Sequence, residues 1–250
     1  MSTFDLNDID QVDEAYARFL FERRAEILGR IVDAAERSGR AAEDVDAIAV
    51  SKTVGPDEVH LAWLAGWESF GENRPQELTR KLEALSSVPG MENVRFDMIG
   101  NLQKNKINQV IGRVALIHSI SSSDLAQAVS SHSEARNIVS DVLIEVNVSG
   151  EASKSGFSPD ELRAQIEDIV DLPGISVKGL MTMAPADNPS AARATFSGLR
   201  ELAEELRART GLALDVLSCG MSDDFEIAVE EGSTLVRIGR CAFDQAYELG

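Results

Sequence analysis

Eight short apolar runs, each rich in β-branched or aromatic residues and too short for a helix, recur along the chain. They are DAIAVS at 46–51, WESFG at 67–71, RFDMIG at 95–100, VALIHSI at 114–120, DVLIEVNV at 141–148, VKGLMTMA at 177–184, ALDVLS at 213–218 and TLVRI at 234–238. Between them the apolar spacing turns helical, as in PDEVHLAWLAG after the first run, SSDLAQAVSSHSEAR after the fourth and SPDELRAQIEDIVDLPG after the fifth. The last of these opens with Ser158 at the N-cap and Pro159 at N1. Strand followed by helix, repeated, demands a parallel sheet with right-handed crossovers. Eight repeats in 250 residues predict an α/β fold, a single closed (β/α)8 barrel of the TIM type. An open doubly wound sheet is the alternative.

Upstream, Phe19, Leu20, Ile27, Ile31 and Ala34 or Ala35 recur at helical spacing, and Gly39 stands where a C-terminal cap belongs. An extra helix is therefore expected over 1–40, the barrel over 46–240 and a tail over 241–250. No Gly/Ser-rich linker interrupts the chain, so one domain is expected.

A formal net charge of −18 repels nucleic acid and anionic membrane surfaces. The least acidic stretch, 74–113, carries Arg74, Arg80, Lys81, Arg95, Lys104, Lys106 and Arg113, and reads as a solvated face or a rim that attracts a small anion. No run is apolar for long enough to cross a bilayer, and the acidic start MSTFDLNDIDQVDEAYARF is unlike a secretory signal, which predicts a cytoplasmic protein. Cys219 and Cys241 are too few for a disulfide scaffold. His60, His118 and His132 lack ligand spacing and read as surface or core residues, so no metal is assigned.

In a barrel of this kind the chemistry sits at the C-terminal ends of the strands. Lys52 ends the first strand and shares parity with Ile48 and Val50, which points it into the mouth if they face inward. Partial burial there disfavours the ammonium form, and a neutral amine can attack an aldehyde to give a Schiff base. Strand two ends in FGENRPQE, with Gly71 as a turn residue and Glu72 and Asn73 as polar heads on the same rim; strand three ends in IGNLQKNK. On strand six, Met181 and Met183 read as core or pocket wall.

LSCGMSDDFEIAVEEG runs from Ser218 through Gly220, Met221 and Ser222 into a helix whose start carries Asp223 and Glu226 at capping-box spacing. Free backbone N–H groups beside a serine hydroxyl suit a phosphate, and barrels often bind phosphate after strands seven and eight. VRIGR then places Gly239 where a backbone can approach a ligand, and Arg237 on the same face as Gly239. An interior arginine must be paired, for instance with Glu145, or must bind a ligand. A phosphorylated aldehyde with a ring between its ends meets all three features, and pyridoxal 5′-phosphate is such a molecule: aldehyde to Lys52, phosphate to the last two strand ends, ring nitrogen to Arg237. Arginine donates a hydrogen bond there but hardly yields a proton, so the ring is a poor electron sink and strong carbanion chemistry is disfavoured.

The motifs AVSKT, FGEN..QE, IGNLQ.NK, VN.S.E.SKSG, GLM, GMSDD and VRIG, in this order over nearly the whole chain, resemble the pyridoxal phosphate homeostasis protein family, also called the proline synthetase co-transcribed family. The resemblance implies a barrel similar to the N-terminal domain of alanine racemase, with Lys52 as the cofactor lysine and contacts at Asn73, around Ser218 and Ser222, and at Arg237 and Gly239. Met181 and Gly220 complete the candidate set. It further implies a carrier with no established reaction, which buffers or delivers vitamin B6 inside the cell, passing it to pyridoxal-phosphate-dependent apoenzymes, and so influences amino-acid and keto-acid balance. A monomer is expected. Two positions depart from the family pattern: Asp97 and Met98 stand where a histidine often precedes the strand-three Ile-Gly, and Asp244 stands where the ending usually reads Phe-Gly.

The alternative is an amino-acid racemase-like enzyme. It needs a second base, which alanine racemase takes from a tyrosine on an additional β-domain, whereas this chain ends soon after strand eight with only Tyr16 and Tyr247. A class I aldolase usually carries its lysine on strand six, but Lys178 falls at the start of that strand and so at the wrong end of the barrel.

Overall fold

The computed structural model describes residues 11–249, so positions 1–10 of the expected N-terminal helix and Gly250 of the expected tail lie outside the described residues. Strands β1 (Asp46–Val50), β2 (Ser69–Glu72), β3 (Arg95–Met98), β4 (Leu116–Ile120), β5 (Ser140–Glu145), β6 (Ile175–Met181), β7 (Val216–Ser218) and β8 (Leu235–Ile238) correspond one to one with the eight apolar runs. They pair in chain order, all parallel, and β8 returns to β1 with Asp46 opposite Leu235 and Ile48 opposite Arg237. This closure is a (β/α)8 barrel and excludes the open sheet.

The helices are α1 (Gln11–Arg37), α2 (Pro56–Leu64), α3 (Pro75–Leu85), α4 (Ser123–Glu134), α5 (Pro159–Val170), α6 (Pro189–Thr210), α7 (Phe225–Glu230) and the short α8 (Arg240–Phe243). At α5, Ser158 accepts from the Glu161 amide at 3.2 Å while the Glu161 carboxylate accepts from the Ser158 amide at 2.8 Å, a complete capping box. The β3–β4 crossover has a 3-10 segment, Lys104–Gln109, in place of an α-helix. Its apolar residues Leu102, Ile107, Val110 and Ile111 are buried in the core, while Asn101 donates to Ser155 (3.3 Å) and Asn108 Oδ1 meets His132 Nδ1 (3.1 Å).

Helix α1 ends as its sequence requires. Gly39 takes a left-handed φ of 70°, and the Arg40 amide closes back on the Ala35 carbonyl at 2.9 Å. Its buried stripe of Ala17, Leu20, Ile27, Ile31 and Ala34 packs toward α2, α7 and α8, and its arginines bind the C-terminal segment. Arg23 donates to the carbonyls of Cys241 (2.9 Å) and Tyr247 (3.0 Å), Arg30 to that of Leu249 (3.1 Å), and the Tyr16 hydroxyl to that of Phe243 (2.9 Å).

Strand parity separates two interiors. Ala49, Phe70, Phe96, Ile117, Val142, Leu180 and Val236 join the helix faces in the main core, where the rings of Phe70 and Phe96 lie 5.6 Å apart. The opposite parity fills the barrel. A small apolar plug of Leu116, Leu143 and Met181, with Met183 and Val216 against it, shares that space with Asp97, His118, Glu145, Ser218 and Arg237, all buried. Barrel interiors are usually filled by branched apolar side chains, so this concentration of polar groups marks the region where function should be sought.

Candidate functional site

Lys52 lies on the turn that follows β1. The Ser51 amide extends the ladder by one bond to the Gly71 carbonyl (3.0 Å), and the Val54 amide closes on the Ser51 carbonyl (3.1 Å). The ladder stops there, so Lys52 is solvent-exposed and not set back into an apolar mouth as its sequence position suggested.

Beneath this turn is a buried polar node that pattern reading missed. Glu72 shares the outward parity of Phe70 and faces Lys81 of α3 in a fully buried ion pair, so it is no polar head at the rim. Ser51 donates its hydroxyl proton to Glu72 (2.8 Å), Lys81 Nζ donates to the Ser51 carbonyl (2.5 Å), and the second Glu72 oxygen accepts from the Asn73 amide (3.2 Å). Gly71 makes no turn either. It lies within β2, where a Cβ would meet Ile48 Cδ1 and Ile99 Cδ1 at 3.2 Å, so its role is to leave space inside the barrel.

Asn73 Oδ1 is buried without a hydrogen-bond partner. The backbone that carries it is pressed against Gly100: a Cβ at position 100 would fall 2.3 Å from the Asn73 carbonyl oxygen and 2.7 Å from its Cα. Only glycine allows that approach.

Arg237 sits 5% exposed inside the barrel. Its Nη1 donates to the Ser218 carbonyl and hydroxyl, both at 2.7 Å, and its Nη2 to the Thr182 carbonyl at 3.0 Å. The Ser218 hydroxyl in turn meets His118 Nδ1 at 3.0 Å, and His118 Nε2 meets Asp97 Oδ2 at 3.2 Å. The Asp97 departure therefore lies in the polar interior beside His118, below the rim. Burial pushes the His118 imidazolium below its ordinary range against the pull of Asp97, and burial likewise lowers Arg237.

The pairing of Arg237 with Glu145 that the sequence offered does not form. Both carboxyl oxygens of Glu145 are buried and unpartnered, and burial raises this carboxyl while the field of Arg237 opposes the rise. Met181 lies in the barrel plug, opposite Glu145 on one side and Ser218 on the other.

The loops after β7 and β8 are joined: the Cys241 amide donates to Ser222 Oγ (3.2 Å) and the Arg237 amide to the Gly220 carbonyl (3.0 Å). Gly220 holds a φ of 92° with Ala228 too close for any Cβ, and Gly239 leads into α8, where the Ala242 amide bonds its carbonyl at 3.0 Å. The predicted capping box is absent. Helix α7 starts later, at Phe225, after Asp224 draws the chain round by accepting from the Met221 amide (2.6 Å). Asp223 pairs with Arg240 and accepts from the Tyr247 hydroxyl (2.7 Å), while Glu226 holds Arg30 and Arg37, each at 3.1 Å. Ser222 thus belongs to a loop, not to a helix start.

Four of the seven basic side chains of 74–113 go to separate acidic partners, Arg80 to Glu77, Lys81 to Glu72, Arg95 to Asp97 and Lys104 to Asp124, and Arg113 donates to the Thr79 hydroxyl (3.3 Å). Lys178 pairs with Asp141 at 3.3 Å, toward the N-terminal half of the barrel. Among the described residues no group of three or more His, Cys, Asp or Glu is arranged to hold a metal ion, and no helix is long and apolar enough to cross a membrane.

The donor set suits a phosphorylated ring aldehyde: an exposed primary amine after β1, a buried guanidinium on the adjoining β8, an unpartnered amide oxygen at Asn73, and Ser222 with Gly239 on joined loops. Parity could have found His118 as an interior group, since it shares a face with the inward Leu116 two residues before it, as Glu145 does with Leu143.

Comparison with known proteins gives the same direction. Residues 30–245 match the model of the alanine racemase N-terminal domain. The chain is 43% identical to the pyridoxal phosphate homeostasis protein of Aquifex aeolicus over 90% of its length and 97% of the relative's, and 40% identical to that of Pseudomonas aeruginosa over 89% and 94%. Among solved structures it resembles PipY of Synechococcus elongatus with pyridoxal phosphate bound (TM-score 0.78, 30% identity, covering 90% of this chain and 99% of that one). An alanine racemase of Clostridium difficile shares the fold at 15% identity, with TM-score 0.70 over 94% of this chain and 58% of the racemase.

Proposed function

The chain belongs to the pyridoxal phosphate homeostasis protein family, and from that membership we propose that it binds pyridoxal 5′-phosphate at the C-terminal mouth of its barrel and serves cytoplasmic vitamin B6 homeostasis. In this reading it buffers the cofactor as a monomer or delivers it to pyridoxal-phosphate-dependent apoenzymes, and so influences amino-acid and keto-acid balance.

The observation that carries the reading is the placement of Arg237. It is buried, anchored on Ser218 and Thr182, and lies on the strand next to the one that leads to Lys52. The cofactor would supply an aldehyde, for which Lys52 would be the covalent amine. Ser222, Gly220 and Gly239 would hold its phosphate, Asn73 and Met181 would lie toward its ring, and Arg237, directed by Ser218, would offer a hydrogen bond to its ring nitrogen. Because a guanidinium keeps its proton, Arg237 favours storage over carbanion chemistry. Both tyrosines are poor bases for racemisation: Tyr16 and Tyr247 are pushed up to about 12, chiefly by burial, and their hydroxyls are bound to the Phe243 carbonyl and to Ser222 and Asp223.

The test is optical. Purified protein mixed with pyridoxal phosphate should gain a visible absorption band, and borohydride should then fix the cofactor on Lys52, detectable by mass. Lys52→Ala should lose both signals, and a wild-type protein that takes up no cofactor overturns the reading. A racemisation assay separates carrier from enzyme.

A further inference from the structure

We propose that His118, oriented by Asp97, is the positioning residue for Arg237, acting through Ser218. The proposal rests on the reading that pyridoxal phosphate binds against Arg237.

The direction of every proton in the chain follows from chemistry. The Asp97 carboxylate only accepts, so at 3.2 Å the His118 Nε2 carries the hydrogen. Neutral His118 then presents a lone pair at Nδ1, and the Ser218 hydroxyl, 3.0 Å away, spends its single proton there. With that proton committed, Ser218 Oγ turns a lone pair to Arg237 Nη1 at 2.7 Å. The order Arg237 to Ser218 to His118 to Asp97 is one-way, and all four residues are buried. Reversing the histidine tautomer would set a bare Nε2 lone pair against the Asp97 carboxylate and deprive the Ser218 hydroxyl proton of its acceptor.

The relay orients Arg237 without neutralising it. Among the described residues no carboxylate forms an ion pair with it, and Glu145 bonds to nothing. The carboxylates whose field favours the Arg237 charge are Asp224 and Glu145, while Asp97, held by Arg95 at 3.5 Å, closes the far end of the relay. Position 97 is thus where the orientation of the ring-nitrogen donor is set, three strands of barrel circumference from β8. A lone buried histidine with only a packing role would need neither the carboxylate on one nitrogen nor the serine on the other.

A double-mutant cycle on pyridoxal phosphate binding tests the idea. Wild type, His118→Phe, Arg237→Gln and the double variant are titrated with the cofactor, following the visible band, with thermal melting to establish that each is folded. Ser218→Ala cuts the same relay with a smaller change in volume. His118→Phe and Ser218→Ala should each weaken binding about tenfold, as expected for the loss of orientation of one charged hydrogen bond. In the Arg237→Gln background neither should weaken it further. His118→Asn, which keeps an acceptor toward Ser218, should recover most of the affinity. Full, additive losses in the Arg237→Gln background, or unchanged affinity in both single variants, overturn the proposal while leaving cofactor binding intact. Failure of the wild type to bind overturns the underlying reading and the proposal together.

Discussion

Lys81 and Glu72 form a fully buried ion pair on the outer face of the barrel, and between them they hold the backbone on either side of the candidate mouth: Lys81 binds the Ser51 carbonyl, Glu72 the Asn73 amide. Lys52 and Asn73 are therefore placed from behind, by groups that no ligand touches. Lys81→Met strands a buried carboxylate and should cost about 3–5 kcal/mol in urea unfolding. A loss under about 1 kcal/mol would show that the pair is not a structural unit.

Lys52 itself contributes little to the fold. It is exposed, and Lys52→Ala should change unfolding free energy by less than about 0.5 kcal/mol while abolishing the visible band. Destabilisation comparable to that of Lys81→Met would place the residue in the scaffold instead.

Gly100→Ala puts a methyl against the backbone of Asn73. Overpacking of this kind costs about 1–3 kcal/mol, and cofactor affinity should fall with it because Asn73 must move. Normal affinity in a folded Gly100→Ala protein would remove Asn73 from the site.

Glu145 gives the protein a pH signature. Its folded-state value is raised by burial above the 4.5 of a free carboxyl, so between that value and the raised one the folded state holds more protons than the unfolded state, and stability falls as pH rises. Glu145→Gln mimics the protonated form. Its advantage over wild type should be nil below the unfolded value and grow through the window to about 1–3 kcal/mol near neutrality, measured by denaturant titration across pH. A pH-independent difference contradicts this assignment.

Both thiols should be silent in the native state. Burial pushes Cys219 up to about 11 and raises Cys241 as well, so neither presents thiolate to a reagent at neutral pH. A colorimetric thiol assay should find no rapid reaction until denaturant is added; one fast equivalent would show an open path to the interior.

The barrel was legible because the strand runs are short and apolar with helical spacing recurring between them, and closure follows from the number of repeats. Less legible were features set by where a ladder stops or which parity a strand carries. Lys52 looked inward because its parity with Val50 is correct, but the ladder ends at Ser51 and the turn carries it to solvent. Glu72 looked like a rim ligand until Phe70 fixed its face outward. The α7 start moved because Asp224 captures the Met221 amide, an interaction that competes with any cap at Asp223. His118 and Asp97 are distant in sequence from Ser218 and Arg237, and only the closed ring brings the four together.

Tyr16 and Arg23 of α1 hold carbonyl groups of α8, and Arg30 holds that of Leu249 in the segment after it, all just beyond Gly239. The first helix is in that sense a buckle: the rigidity of the rim beside Arg237 depends on side chains more than two hundred residues earlier in sequence, and loosening either side of the fastening slackens both.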